Sequence, residues 1–264
     1  MTLLILLRHG QSVWNQKNLF TGWVDIPLSQ QGIQEAIAAG ESIKHLPIDC
    51  IFTSTLVRSL MTALLAMTNH SSQKVPYIVH EERPDMSRIH SQKEMEQMIP
   101  LFQSSALNER MYGELQGKNK QEVAVQFGEE QVKLWRRSYR IAPPQGESLF
   151  DTGQRTLPYF QERIFPLLQQ GKNIFISAHG NSLRSLIMDL EKLSEEQVLS
   201  LELPTGQPIV YEWTGQKFTK HAPSLGKQPT SHPSFRNGER GFSTLRRRIF
   251  VQRKYLHSDF TSRS

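Results

Sequence analysis

The chain has 264 residues, 38% of them apolar, enough for one or two domains with a sizeable core. No apolar run approaches the ~18 residues of a membrane span, and the start of the chain lacks the basic n-region of a signal peptide. The formal charge of +6 would suggest a polyanionic partner, but residues 214–264 contribute +9 and residues 1–213 contribute −3, so the main body carries no basic excess.

The chain opens on Leu3-Leu4-Ile5-Leu6-Leu7-Arg8-His9-Gly10. An apolar run without alternation, stopped by glycine, predicts a buried parallel strand. Ligands of open α/β sheets sit beyond the carboxyl ends of the strands, so Arg8 and His9 fall where chemistry is done. A loop rich in Asn, Gly and aromatic residues follows, and then Ser29 caps a helix with Ile33, Ala36, Ile37, Gly40 and Ile43 at helical spacing, ended by Pro47. Residues 50–53 read as a second short strand. It holds the single cysteine, Cys50, a small buried hydrophobe whose isolation excludes an internal disulfide and fits a reducing cytoplasm. Ser54-Thr55 cap a helix carrying Leu56, Leu60, Ala63, Leu64 and Met67, with Arg58 in its first turn. Residues 77–79 are a third strand. The polar stretch 81–105, bounded by Pro84 and Pro100, reads as a long surface excursion with one helix near 91–99.

Residues 121–139 form a helix with Val125, Val132 and Trp135 among its apolar positions and Arg136-Arg137 near its end; Pro143-Pro144 stop it. A further helix spans 148–168. The opening grammar then returns: Asn173-Ile174-Phe175-Ile176-Ser177-Ala178 runs into His179-Gly180-Asn181. Helices at 182–190 and near 194–200 and a last strand at 209–213 complete the pattern. Strands alternating with helices predict an α/β fold over residues 1–213, a doubly wound, mostly parallel sheet flanked by helices. Past Trp213 the apolar period is lost to Pro, Ser, Lys, Arg and Gly, so 214–264 reads as a disordered basic tail.

Two imidazoles delivered by two strand ends, with an arginine beside the first, suit a phosphorylated substrate. Arginine offers a planar fork of donors that is always charged. A neutral imidazole can attack phosphorus and carry the group as phosphohistidine, and nearby cations keep it unprotonated. No metal is expected: there is no second cysteine, no His-x-x-x-His, and no carboxylate at ligand spacing near either histidine.

The motifs carry a resemblance. Leu7-Arg8-His9-Gly10-Gln11-Ser12 with Asn15, Phe20-Thr21-Gly22-Trp23, Ser54-Thr55-Leu56-x-Arg58, Leu107-Asn108-Glu109-Arg110-Met111-Tyr112-Gly113, Leu115-Gln116-Gly117-x-Asn119-Lys120, Trp135-Arg136-Arg137 and Ala178-His179-Gly180-Asn181-Ser182-Leu183-Arg184 occur in this order. Together they resemble the histidine phosphatase superfamily and, more narrowly, the cofactor-dependent phosphoglycerate mutases. The resemblance implies that His9 is the phosphorylated nucleophile. Arg8, Arg58 and His179 would surround the transferring phosphoryl group, with Asn15 and Asn181 as neutral donors. Glu109 would be the general acid/base. Thr21, Gly22, Arg110, Tyr112, Lys120, Arg136 and Arg137 would hold the rest of the substrate, its carboxylate and second phosphate, and Gly180 joins the binding set.

The implied reaction interconverts 3- and 2-phosphoglycerate in glycolysis and gluconeogenesis through a phosphohistidine primed by 2,3-bisphosphoglycerate. The implied setting is cytoplasmic, with small-molecule phosphoglycerates as partners, neither membrane nor nucleic acid expected, and a homodimer left open. The alternative is a phosphomonoester phosphatase of the same superfamily, which would not need the set Arg110, Tyr112, Lys120, Arg136 and Arg137. Four places depart from the mutase pattern: Met111 stands where a histidine is usual, 81–105 is longer, 143–148 is shorter, and the tail is a basic run that includes Arg246-Arg247-Arg248. Nucleic-acid binding by that run would show a steep salt dependence lost on deleting 214–264, but a solvated, dispensable extension is expected.

Overall fold

The computed structural model describes residues 1–89 and 91–221. β1 (Thr2–Arg8) forms on the opening apolar run, with Leu4, Ile5, Leu6 and Leu7 all buried. Leu4 and Leu6 enter one core and Ile5 and Leu7 another, the period-two geometry of a strand covered on both faces. β2 (Cys50–Thr53), β3 (Val75–Ile78), β4 (Met98–Gln103), β5 (Ile174–Ala178), β6 (Pro208–Trp213) and β7 (Phe218–Lys220) complete a seven-stranded sheet ordered β3-β4-β2-β5-β1-β6-β7. The ladders from β3 through β1 are parallel, and β1–β6 and β6–β7 are antiparallel. Arg8 lies opposite Ala178 in the β1–β5 register, so His9 and His179 leave the sheet side by side at its carboxyl edge.

The helices are α1 (Val13–Gln16), α2 (Gln30–Ile43), α3 (Val57–Met67), α4 (Gln92–Glu96), α5 (Lys120–Phe127), α6 (Glu129–Arg137), α7 (Leu149–Tyr159), α8 (Phe165–Gln169), α9 (Gly180–Glu191) and α10 (Glu195–Ser200). α2 and α3 cover one face through Ala39, Ile43, Ala63, Ala66 and Met67. α8, α9 and the turn before α8 cover the other through Phe160, Ile164, Leu168, Leu183 and Leu186. The doubly wound, mostly parallel architecture expected from the sequence is the one observed. Cys50 is a free thiol packed in the core. Ser29 caps α2 as its position predicts, accepting from the Gly32 N–H. Gly10 must be glycine for packing: a Cβ there would meet the Gly32 carbonyl oxygen at 2.2 Å, so the loop that follows β1 meets α2 backbone to backbone.

Several expectations are corrected. The stretch 81–105 is a surface excursion only in its first part, where 81–97 is largely exposed and carries the expected helix as α4; residues 98–103 are β4, inserted between β3 and β2, with Ile99 and Leu101 buried. Pro100 hides the strand, because proline removes a ladder donor and normally argues against an interior strand. The helix of 121–139 is two, broken at Gly128, whose φ of 85° no right-handed helix admits. The helix of 148–168 passes through a wide π turn over Phe160–Ile164 and restarts as α8 with Pro166 in its first turn. Ser54-Thr55 do not cap α3. Asp25, from a distant loop, accepts from the Val57 N–H instead. The ordered sheet also runs past Trp213, because Thr214 accepts from Lys217 in a turn that returns β7 onto β6. The remainder of the expected tail, residues 222–264, lies outside the described residues.

Candidate active site

Beyond the carboxyl edge of β1 and β5 lies a cavity of about 210 Å³. Arg8, His9, Asn15, Thr21, Gly22 and Arg58 line one part of it. Glu109, Arg110, Tyr112 and Lys120 line another, and Arg136, Arg137, Gly180 and Asn181 close the rest. His179 alone of the expected residues does not line it. It is fully buried behind His9, with ring centroids 4.9 Å apart.

His9 is 3% exposed. Its Nδ1 lies 2.6 Å from the Gly10 carbonyl oxygen. A carbonyl only accepts, so Nδ1 carries the proton and Nε2 keeps its lone pair. Burial, then the charges of Arg58 and Arg8, hold the imidazole well below its ordinary pKa. Burial, Arg58 and the neighbouring His9 act on His179 in the same direction. His179 Nε2 meets Ser54 Oγ at 2.7 Å, and that oxygen already accepts from the Leu56 N–H.

The arginines are unusual in what they bond. Arg58, 1% exposed, donates to the Val24 and Gly22 carbonyls at 3.0 and 2.7 Å. Arg8 donates to the Leu203 carbonyl at 2.7 Å. Arg110, also 1% exposed, donates to the Tyr112 hydroxyl and the Arg136 carbonyl, both at 3.0 Å. Carbonyls fix these guanidinium groups in place without neutralising them. A buried charge is tolerated when paired, so such a cluster is shaped for an anion from outside the chain. Four of the six buried side-chain atoms with no partner among the described residues point the same way, since Arg8 Nε, Thr21 Oγ1, Arg110 Nε and His179 Nδ1 are in or beside this site. Seven cationic side chains line the cavity against two carboxylates.

Glu109 is one of the two. Its Oε1 accepts from the Arg110 N–H at 2.8 Å and from the backbone and side-chain amides of Asn181 at 3.2 and 2.9 Å. Burial pushes its pKa up, but these bonds and the charges of Arg8 and Arg58 together outweigh it and hold the group below the usual carboxylate range. Asn181, expected near the phosphoryl group, thus spends amide donors on Glu109. Asn15 Oδ1 accepts from the Ser12 N–H, which leaves its amide hydrogens to the cavity. Lys120 sits 5.9 Å above the Phe20 ring. Burial, then Arg136 and Arg8, lower its pKa to about 8. Arg136 and Arg137 are exposed at the mouth, and Arg137 is paired with Glu202 at 3.1 Å. Gly180 opens α9; a Cβ there would stand 3.5 to 3.6 Å from Arg184 Nη1 and Arg8 Nε.

The cavity adds residues to which the sequence reading gave no role. Arg184 lines it one helical turn after Gly180, donating to the Leu201 carbonyl at 3.0 Å; the i, i+4 spacing from Gly180 was the available signal. Glu202, Leu19 and Phe20 also line it. Nothing local in the sequence marks Glu202, which reaches the site on the segment after α10.

Residues 4–87 and 88–224 match the histidine phosphatase superfamily, branch 1. The chain is 99% identical over 226 residues to the 2,3-bisphosphoglycerate-dependent phosphoglycerate mutase of Chlamydia trachomatis serovar D, covering 86% of this chain and 100% of that protein. A protein of the same name from Protochlamydia amoebophila is 56% identical over 223 residues, covering 83% of this chain and 99% of the relative. Among solved structures, Bacillus stearothermophilus YhfR superposes with a TM-score of 0.66 at 24% identity, over 83% of this chain and 95% of that one. A mycobacterial glucosyl-3-phosphoglycerate phosphatase superposes at 0.63 with 23% identity, over 84% and 98%. At such identities the structural likeness concerns the fold alone.

Proposed function

The chain belongs to the histidine phosphatase superfamily, and on that premise we propose that it interconverts 3- and 2-phosphoglycerate through a phosphohistidine at His9 primed by 2,3-bisphosphoglycerate. The observation that carries this reading is the pair of cationic groups around a neutral imidazole. Arg8 and Arg58 flank His9, while on the other walls stand Arg110, held by a carbonyl, Lys120, half-buried over Phe20, and Arg136 and Arg137, exposed at the mouth. A simple phosphomonoester needs only the first group. A substrate with a carboxylate and two phosphate positions uses both. The names of the relatives at 99% and 56% identity support the same reading.

The unspent donors Arg8 Nε, Thr21 Oγ1 and Arg110 Nε fit a multiply charged anion. 2,3-Bisphosphoglycerate, when bound, supplies the phosphoryl group that loads His9. In turnover His9 Nε2 takes and returns that group while the Gly10 carbonyl holds the ring by Nδ1–H. Arg8, Arg58 and the start of α9 stabilise the charge spread over the transferring oxygens, the largest resource in phosphoryl transfer. Glu109, a carboxylate at rest, accepts the proton of the attacking hydroxyl and gives it back in the reverse step, worth ~10²–10⁴ in rate. Tyr112 orients Arg110, and Lys120, Arg136 and Arg137 hold the remote anionic groups. Among the described residues no helix is long and apolar enough to cross a membrane. The single cysteine supports a cytoplasmic setting.

Incubation with labelled 2,3-bisphosphoglycerate tests the reading. The expected product is an acid-labile, base-stable label on His9 that discharges onto monophosphoglycerate, and His9→Ala takes up none. Discharge to water alone would replace the mutase with a phosphatase.

A further inference from the structure

Arg155, on α7, does not line the cavity, yet its guanidinium faces the segment that carries Glu109 and Arg110. Nη1 donates to the carbonyls of Ser105, Ala106 and Asn108 at 3.2, 2.8 and 3.0 Å. Nη2 donates to the Glu109 carbonyl at 3.0 Å and to Glu147 Oε2 at 2.8 Å, and Nε donates to Glu147 Oε1 at 2.9 Å. Five N–H groups thus serve six acceptors, and none is left for a substrate. The Glu109 carbonyl also accepts from Trp23 Nε1 at 2.6 Å, and the Trp23 ring lies 5.4 Å from the Arg155 guanidinium. Glu147 closes the far end, accepting from the Met111 N–H at 3.0 Å and donating its own N–H to the Met111 carbonyl at 2.8 Å. The segment from 105 to 111 has no regular structure beyond a short 3₁₀ turn at Ser105–Leu107. It cannot hold Glu109 in place by itself.

We infer that Arg155, locked by Glu147, is a positioning residue that sets the Glu109 carboxylate at the height needed for proton transfer. A bidentate ion pair on a rigid helix fixes four carbonyls of an irregular segment, and the side chain at its end inherits that rigidity. Lysine at 155 keeps the charge but has a point of donors in place of a fork, and reaches few of the six acceptors. The inference rests on the reading of Glu109 as the general acid/base.

The test separates the two claims by leaving group. Transfer to and from phosphoglycerate needs a proton moved at the hydroxyl. Loading of His9 from p-nitrophenyl phosphate does not, because the phenolate leaves unprotonated. Arg155→Lys and Glu147→Gln are expected to lower kcat for 3-phosphoglycerate about 10²-fold with little change in KM, the cost of a misplaced group. The p-nitrophenolate burst should stay within about two-fold, since a rate factor near unity is all that loading loses without proton transfer. Glu109→Gln should show the same split. A wild-type kcat in Arg155→Lys, or equal losses in both reactions, would overturn the positioning role. A Glu109→Gln enzyme without the split would overturn the acid/base reading itself, and the inference with it.

Discussion

Lys120 shows what crowding like charges does to a single residue. Its pKa of about 8, set by burial and by Arg136 and Arg8, leaves it half neutral at that pH. An anion restores the favour of the charged form, so binding must take up protons. Calorimetry of phosphoglycerate binding at pH 8 in buffers of different ionisation enthalpy should show an uptake of about half a proton. Lys120→Gln should abolish that uptake and weaken binding by about 1.5–3 kcal/mol, roughly 10- to 150-fold. Glu109→Gln should act differently, lowering kcat ~10²–10⁴-fold in steady-state assays with KM nearly unchanged. Most of these side chains were legible in the sequence, because Arg-His-Gly at a strand end and Asn-Glu-Arg-x-Tyr-Gly are local patterns. Arg155, Ser54 and Glu202 were not, because the contacts that tie them to the site are with carbonyls, a ring nitrogen or an arginine 46 or more residues away; Glu147, eight residues before Arg155, shows only an ion pair. No local spacing encodes such contacts. His179 was legible as a site residue, but its place behind His9 was not.

At the scale of elements, the central strands declared themselves because burial on both faces removes alternation. β4 did not, since Pro100 breaks the pattern of a strand that tertiary packing nevertheless inserts between β3 and β2. β7 was missed for another reason: three residues at a sheet edge are too short to carry a period. Two junctions between elements can be tested. Gly10→Ala would drive a Cβ to 2.2 Å from the Gly32 carbonyl, where neither backbone can yield freely. Overpacking of this kind should cost about 1–3 kcal/mol in urea unfolding and displace His9 by moving the loop after β1 away from α2. The bridge from Arg137 on α6 to Glu202 is exposed at 45% and 70%. An exposed pair contributes about 0–1 kcal/mol, so Glu202→Gln should leave stability almost unchanged. It does free Arg137 for substrate, so KM for phosphoglycerate should fall a few-fold while kcat holds.

For the whole molecule, the site is bought with stability, and pH exposes the exchange. His9 and His179 are both held neutral far below the ordinary histidine pKa, by burial first and then by Arg58. In the unfolded chain they titrate near 6.5. Between the native pKa values and 6.5 the unfolded state binds more protons than the native one, so stability rises with pH across that window and is lost as pH falls through it. Each histidine contributes a slope of at most about 1.4 kcal/mol per pH unit, and the two together about 2.7. Glu109, also depressed, adds its loss only in the acid range below about 4.3, where unfolded glutamates protonate. Urea unfolding should therefore be nearly flat from pH 8 to 7 and fall steeply from 6.5 to 5.5. The double variant His9→Gln, His179→Gln should lose the steep part; an unchanged slope in it would assign the acid sensitivity elsewhere. Inorganic phosphate should counter the loss, because an anion between Arg8 and Arg58 offsets the charges that keep His9 neutral and binds only the folded chain. A stabilisation that grows as phosphate rises, and that Arg58→Met removes, would tie acid sensitivity and phosphoryl transfer to one cause: guanidinium groups anchored on carbonyls and, among the described residues, in salt-bridge contact with no carboxylate.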